Sequence, residues 1–402
     1  MSKSGNNKHF QFDVARARCE TPGCESVAHF NNAGAALMPQ IVLDAITDHY
    51  RLESEIGGYE AEARESEKIE RVYDSLAALL GCHRDEIALV ENATRAWDMA
   101  FYSIPLQAGD RILTTISEYG SNFIAFLQAA RRAGAVIDVV ANDEHGQISI
   151  DALRQSMDER VRLIAITHVP TNGGLVNPAA EVGRVAREAG SLYLLDACQS
   201  AGQIPLNVED IGCDMLSATG RKYLRGPRGT GFLYVKRNVI ERLEPPFLDI
   251  HAAEWVAPDR FEIRNDARRF ENWETNYATR VGLGVAVDYA LRWGIESIEQ
   301  RVIYLANQLR ARLGEIPGVE VRDLGAERCG IVTFTVEDRD PMDVRRHLSK
   351  RNINVWSSVR SSTLIDMEMR GLDEIVRASL HYYNTEEEID RLCEELRNLD
   401  RM

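Results

Sequence analysis

Between residues 62 and 80, apolar side chains recur at three- and four-residue spacing: Ile69, Val72, Tyr73, Leu76, Leu79 and Leu80. That period puts them on one face of a helix over 62–80, and Gly81 stands where a glycine ends such a helix. The pattern then changes to short apolar runs at 86–90, 111–115, 135–140, 162–169, 192–196, 215–219 and 232–235. Each has the length of a buried strand, and helix-period segments at 93–104 and 121–133 lie between the early ones. Such alternation predicts an α/β protein with a mostly parallel sheet covered by helices on both faces. From about residue 280 the spacing lengthens into helices over 281–293 and 298–313. Strands at 319–321 and 331–336, a helix at 341–350, a short strand at 352–356 and a last helix at 385–399 follow. This reads as a smaller α+β unit. The expected layout is a loosely ordered extension over 1–28, a large domain over 29–280 and a small one over 281–402.

The stretch that concentrates chemistry runs from residue 214 to 235. An apolar run ends in Ser217, Ala218, Thr219 and Gly220; Lys222 follows, then a loop with Gly226, Pro227, Gly229 and Gly231. A lysine on a tight turn between two buried strands is desolvated and held in place. Both conditions favour a nucleophilic amine of the kind that forms a Schiff base. In open parallel sheets ligands bind beyond the carboxyl ends of the strands, and other polar residues fall at those ends. Ala93 and Thr94 open a helix after the first strand, where backbone N–H groups make an anion site; Thr94 also suits an N-cap. Tyr119 offers a flat aromatic surface after the second strand. Asp196 ends a wholly apolar run, where a carboxylate needs a partner or its pKa rises.

In their order and spacing, these segments resemble the fold-type I pyridoxal-phosphate enzymes of the class V aminotransferase and cysteine desulfurase group, over nearly all of residues 30–399. The resemblance implies that Lys222 carries pyridoxal 5'-phosphate and that Asp196 holds the pyridine nitrogen. Gln199, in the Asp-x-x-Gln spacing, faces the ring hydroxyl. Tyr119 stands where the family has a ring-stacking histidine, which leaves that residue's proton-transfer role unassigned. Ala93 and Thr94 meet the phosphate, as do Thr219 and Arg221, with arginine in the place of histidine. Either Thr171 or Asn172 contacts the ring or the substrate. Thr275 reaches the phosphate of a neighbouring subunit, which implies a homodimer with shared sites. Asn32 lies beside the substrate, and Arg377 binds its carboxylate, with Arg360 as the alternative cation.

Charge and cysteine usage narrow the class. The chain has 402 residues and a net charge of −15, which argues against a nucleic-acid partner. Its seven cysteines show no disulfide-like density, and no run of eighteen apolar residues occurs. A reduced, cytoplasmic, non-membrane protein is expected. Cys19, Cys24 and His29 lack the second paired half of a metal site, so no metal is expected. No cysteine lies between Cys329 and Cys393. A persulfide-forming desulfurase carries its nucleophile there, so that chemistry lacks its thiol. The resemblance then narrows to carbon–sulfur lyases of the ergothioneine-pathway and lincosamide type. They would cleave an S-substituted cysteine to thiol, pyruvate and ammonia. An aminotransferase, epimerase, or decarboxylating or deaminating enzyme would use the same residues. A non-catalytic cofactor-binding protein on this fold is the reading from another class.

Overall fold

The computed structural model describes residues 12–399. Strand β1 (Ala28–His29) is followed, after three helices, by β2 (Ile87–Val90), β3 (Arg111–Thr115), β4 (Val136–Val140), β5 (Val161–Thr167), β6 (Leu192–Asp196), β7 (Met215–Thr219) and β8 (Gly231–Val235). Strands β2 to β8 form one seven-stranded sheet in the order β2-β8-β7-β6-β5-β3-β4. Neighbours are parallel except at β8, which runs antiparallel to both β2 and β7. The reason is local: no helix lies between β7 and β8. A parallel return needs a crossover of about a dozen residues or more, usually helical. The β7–β8 loop instead carries Lys222.

The two faces of the sheet separate by residue parity, as pleating requires. Ile87 and Leu89, Tyr193 and Leu195, and Leu216 and Ala218 enter one hydrophobic cluster with the helices Ser66–Leu80 and Ala179–Ala189. Ala88 and Val90, Leu192 and Leu194, and Met215 enter the other with the helices Ala93–Phe101 and Gly120–Ala133. Burial on both faces is why these strands read as unbroken apolar runs.

After the sheet come a hairpin of β9 (Ala253–Ala257) and β10 (Arg260–Ile263) and the helices Tyr277–Trp293 and Ile295–Gly314. Strands β11 (Val319–Val321), β12 (Ile331–Val336), β13 (Ile353–Asn354), β14 (Trp356–Val359) and β15 (Glu374–Ser379) follow. A four-stranded antiparallel sheet has the order β11-β12-β15-β14. The short β13 pairs in parallel with β1, so Ala28 and Phe30 join the core of this second sheet. Among the described residues no helix is long and apolar enough to cross a membrane.

Three expectations need correction. The segment before residue 28 is not loosely ordered where it is described. Asp13 caps the helix Val14–Cys19, and Phe12 stacks on Trp293 with centroids 4.8 Å apart; residues 1–11 lie outside the described chain. The single helix over 62–80 is two, Gly58–Arg64 and Ser66–Leu80, broken at Glu65, whose carboxylate binds His49 and Lys68. The single strand over 352–356 is likewise two, β13 and β14, serving different partners.

Gly231 shows how tightly the sheet positions the site. A Cβ on it would lie 2.5 Å from the backbone carbon of Asn92, at the start of the helix Ala93–Phe101. Gly231→Ala should therefore cost about 1–3 kcal/mol of stability by overpacking. It should also weaken phosphate binding, because the helix start must move. Urea unfolding and an inorganic phosphate titration check both; an unchanged midpoint would show that the backbone yields freely.

Candidate active site

The loop after β7 is closed on itself by backbone hydrogen bonds. Gly220 N donates to Thr230 O (3.1 Å), Gly226 N to Gly220 O (2.8 Å) and Arg225 N to Lys222 O (2.9 Å). Arg225 adopts φ 61°, a left-handed conformation uncommon for a non-glycine residue. Its side chain is 1% exposed and meets no carboxylate among the described residues. Nε donates to Leu37 O (2.8 Å), and the terminal nitrogens donate to the Tyr382 hydroxyl and Thr21 Oγ1 (both 2.5 Å). The guanidinium also lies 4.6, 5.1 and 5.7 Å from the ring centroids of Tyr383, Tyr382 and Tyr289.

Lys222 opens onto a cavity of about 450 Å³ at the carboxyl ends of the strands. The helix start Asn92–Ala93–Thr94 and Tyr119 line it. Thr171 and Gln199 line it from the segments after β5 and β6, Asp196 and Thr219 from the last residues of β6 and β7, and Arg221 from the lysine loop. The cap at the helix start is Asn92, which accepts from Arg95 N at 2.9 Å. Thr94 is thus not the N-cap, and it lines the cavity. Burial lowers the pKa of Lys222, with Arg221 and Arg377 adding to the effect, which raises its neutral amine fraction.

Asp196 is oriented from both sides. Its Oδ1 accepts from Cys198 N (2.8 Å) and its Oδ2 from Asn122 Nδ2 (2.9 Å). The same Asn122 nitrogen donates to Glu118 Oε1 at 2.9 Å. Glu118 also accepts from Thr167 Oγ1 (2.6 Å), Thr167 N and Tyr119 N (3.0 Å each) and Thr114 Oγ1 (3.1 Å). Burial nevertheless pushes its carboxyl up to about 7, with the charge of Asp196 adding to the shift. Across the cavity, Gln199 Nε2 donates to Ala33 O (3.2 Å) while its Oε1 is buried with no partner.

A second cavity of about 320 Å³ shares Tyr119, Thr171, Gln199, Arg221 and Lys222 with the first. Its own walls include Asn31, Arg228, Trp356, Ser358, Ser362 and Arg377. Arg377 is buried; it donates to the Thr171 hydroxyl and, at 3.5 Å, to Asn31 Oδ1. Its Nε has no partner, and burial pushes its pKa down to about 10. A buried guanidinium with neutral partners and a spare donor is a seat for a carboxylate.

Several residues singled out from sequence lie elsewhere. Asn32 is turned inward: its Nδ2 donates to Ser379 O (2.7 Å) and its Oδ1 accepts from Tyr383, so Asn31 faces the cavity in its place. Thr171 lines the cavity, whereas Asn172 ties the loop above, accepting from Ser358 Oγ (2.5 Å) and donating to Thr363 Oγ1 (3.2 Å). Arg360 points to the surface and pairs with Asp373 at 3.2 Å, so it lines neither cavity. Thr275 is half-buried and also lines neither. The Thr219 hydroxyl donates to Thr230 O (3.1 Å). Glu118, Asn122 and Cys198 carry no expected role from the sequence, although Glu118 and Asn122 flank Tyr119 in the segment that resembles the family's Glu-His-x-x-Asn. Glu118 and Asn122 sit four apart across a helix start, a spacing that shares a face.

The site combines a helix N-terminus, a desolvated lysine, a carboxylate with free lone pairs and a buried amide oxygen with no donor. Those four features fit the phosphate, aldehyde, ring nitrogen and ring hydroxyl of pyridoxal phosphate. The aminotransferase class V family model matches residues 28–392, and the chain belongs to that family, in its cysteine desulfurase-like, pyridoxal-phosphate-dependent branch. It is 31% identical over 388 residues to a probable cysteine desulfurase of Methanothermobacter thermautotrophicus, covering 95% of this chain and 97% of the other. The apo cysteine desulfurase of Thermococcus onnurineus superposes with a TM-score of 0.90 at 26% identity, covering 96% and 98% of the two chains. The cystine C–S lyase C-DES, in complex with its product cysteine persulfide, superposes with a TM-score of 0.85 at 25% identity, covering 94% and 99%.

Glu118 makes a pH prediction. Its folded pKa of about 7 lies above the free-chain value of about 4.3. The folded state therefore takes up a proton between these values. The associated stability is fully present below the window and is lost as pH rises through about 7. The unfolding free energy of the apoprotein, wild type minus Glu118→Gln, should fall by roughly 3 kcal/mol at most between pH 4 and 8. A pH-independent difference would show that Glu118 does not titrate in this range.

Proposed function

We infer that the chain is a cytoplasmic carbon–sulfur β-lyase that cleaves an S-substituted cysteine into a thiol, pyruvate and ammonia. One observation carries this reading: the substrate side of Lys222 is lined by Ser358 and Ser362 and by no cysteine. A desulfurase needs a thiolate there to take up sulfur. The cysteine that does reach the cofactor cavity, Cys198, sits on the Asp196 side, and burial raises its thiol pKa far above neutrality. The C-DES likeness supports a lyase outcome, and a closer kinship with the ergothioneine-pathway and lincosamide lyases belongs to the same reading. The desulfurase names of the curated relatives favour the competing one, in which sulfur ends on the protein.

Ala93, Thr94 and Arg221 would hold the phosphate, Tyr119 would lie over the ring, Gln199 would accept from the ring hydroxyl, and Asp196 would keep the ring nitrogen protonated; their lining of one cavity supports these roles. When bound, pyridoxal phosphate supplies an electron sink for the substrate α-carbon. Arg377 holds the substrate carboxylate, assisted by Asn31. Lys222, whose pKa burial lowers, would take the α-proton at Nζ. The α-carbon electron pair would then form the Cα=Cβ bond as the β-thiolate leaves with the carbon–sulfur electron pair, and water would hydrolyse the released enamine to pyruvate and ammonia, so no further protein nucleophile is required. Exposed Ile250, Trp255, Phe261 and Trp273, on and beside the β9–β10 hairpin, support a homodimer. Thr275, on the segment that also carries Trp273, would serve the neighbouring subunit.

Incubation with an S-substituted cysteine should release thiol, pyruvate and ammonia in equal amounts without an added keto acid. A keto acid requirement, or sulfur retained on the protein, would replace this reading. Arg377→Ala should raise the substrate KM by about 10- to 150-fold, the equivalent of ~1.5–3 kcal/mol for a charged hydrogen bond. An unchanged KM would move carboxylate binding to another cation.

A further inference from the structure

The substrate-side cavity holds more positive charge than an ordinary amino acid uses. Its walls contain Lys222, Arg221, Arg228 and Arg377 and no aspartate or glutamate, in a chain of net charge −15. Lys222 and Arg221 also line the cofactor cavity, and Arg377 takes the α-carboxylate in the reading above. Arg228 lines the substrate side alone. It has no hydrogen-bond or ion-pair partner among the described residues, in contrast to Arg268 and Arg301, which each hold a glutamate.

The Arg228 side chain is exposed, and the backbone that carries it is held in place. Arg228 stands between Pro227, whose carbonyl accepts from Thr230 Oγ1 at 2.7 Å, and Gly229, at φ 77°. Burial lowers the pKa of Arg221, and the like charge of Arg228 adds a smaller contribution in the same direction. Two like charges held near each other on a fixed loop are relieved by an anion between or beside them. Trp356, with the Arg345 guanidinium 4.0 Å from its ring centroid, gives the cavity an aromatic wall. The volume of about 320 Å³ lies at the lower end of small-molecule sites.

We propose that the amino acid entering this site carries a second anionic group on its side chain, and that Arg228 receives it. This inference rests on the reading of the cavity as a substrate site. The substrate class is then a cysteine conjugate whose sulfur substituent ends in a carboxylate or comparable acid, with Arg228 as the residue that selects it.

The test compares S-carboxymethyl-L-cysteine with its neutral isostere S-carbamoylmethyl-L-cysteine on the holoenzyme. Dissociation constants come from the cofactor absorbance change on mixing, and kcat/KM from pyruvate release. The wild type should prefer the acidic conjugate by tenfold or more, mainly in binding. Arg228→Ala should abolish that preference and Arg228→Glu should reverse it, while Arg228→Lys should keep part of it. An unchanged ratio in Arg228→Ala would overturn the proposal, as would dissociation of the oligomer by that substitution, which would make Arg228 an interface residue. If the acidic conjugate binds through Arg228 but neither conjugate is cleaved, the selectivity stands and the lyase reading falls.

Discussion

A guanidinium buried with no counter-ion among the described residues holds this site in register. Arg225 lies three residues beyond Lys222 and loses the hydration of a full charge, a penalty of several kcal/mol. Three charge-assisted hydrogen bonds and three tyrosine rings offset it. The partners come from the N-terminal segment (Thr21 and Leu37), the helix Tyr277–Trp293, and the segment after β15 (Tyr382 and Tyr383). No two of these neighbour the lysine loop in sequence. Satisfying one buried cation therefore brings the two ends of the chain to the loop between β7 and β8. The same convergence brings Arg377 and Asn31 to the cavity beside Lys222. The tie is reinforced by His381, whose ring contacts Tyr223 O at 2.9 Å.

Within that frame the charges are sorted. The acids, Asp196 and the neighbouring Glu118, stand on the sheet side, joined through a single Asn122 amide nitrogen. The cations stand on the loop side. The chain's net negative charge does not reach the cavity as local charge, because pair interactions at contact distance outweigh screened charges more than a Debye length away. The sorting suits a cofactor that carries an anion at one end and, at the other, a protonated ring nitrogen that would donate a hydrogen bond to Asp196.

Much of this was legible in the residues because burial on two faces leaves a simple trace. Arg111–Thr115, Leu192–Asp196 and Met215–Thr219 agree with the apolar runs to the residue. What the residues did not reveal depends on distant partners. The reversal of β8 is dictated by the loop length after β7. The choice of Asn31 over Asn32 is decided by β1, which pairs with β13 more than three hundred residues away and so sets which side chain turns inward. Arg377 and Arg360 look alike in sequence. One lies on β15 in the middle of a sheet and the other follows the end of β14, beside the exposed Asp373. The helix Gln40–Ile56 and the β9–β10 hairpin went unforeseen, and both carry exposed apolar residues that blur periodicity.

The loop over 358–363 bears on the chemistry through its attachments as well as its composition. Ser358 and Thr363 are both tied to Asn172, and Arg360 N donates to Asp373 O at 2.8 Å. Gly120, next to Tyr119, has no room for a Cβ because the Ser361 carbonyl packs against it. A loop that delivers a nucleophile to the sulfur of a bound substrate must be free to approach it and withdraw. This one is held at both ends and in the middle against the helix that carries Asn122. Its fixed position suits a wall that shapes the substrate cavity. Elimination from the β-carbon, with Lys222 as the moving base, places no demand on it.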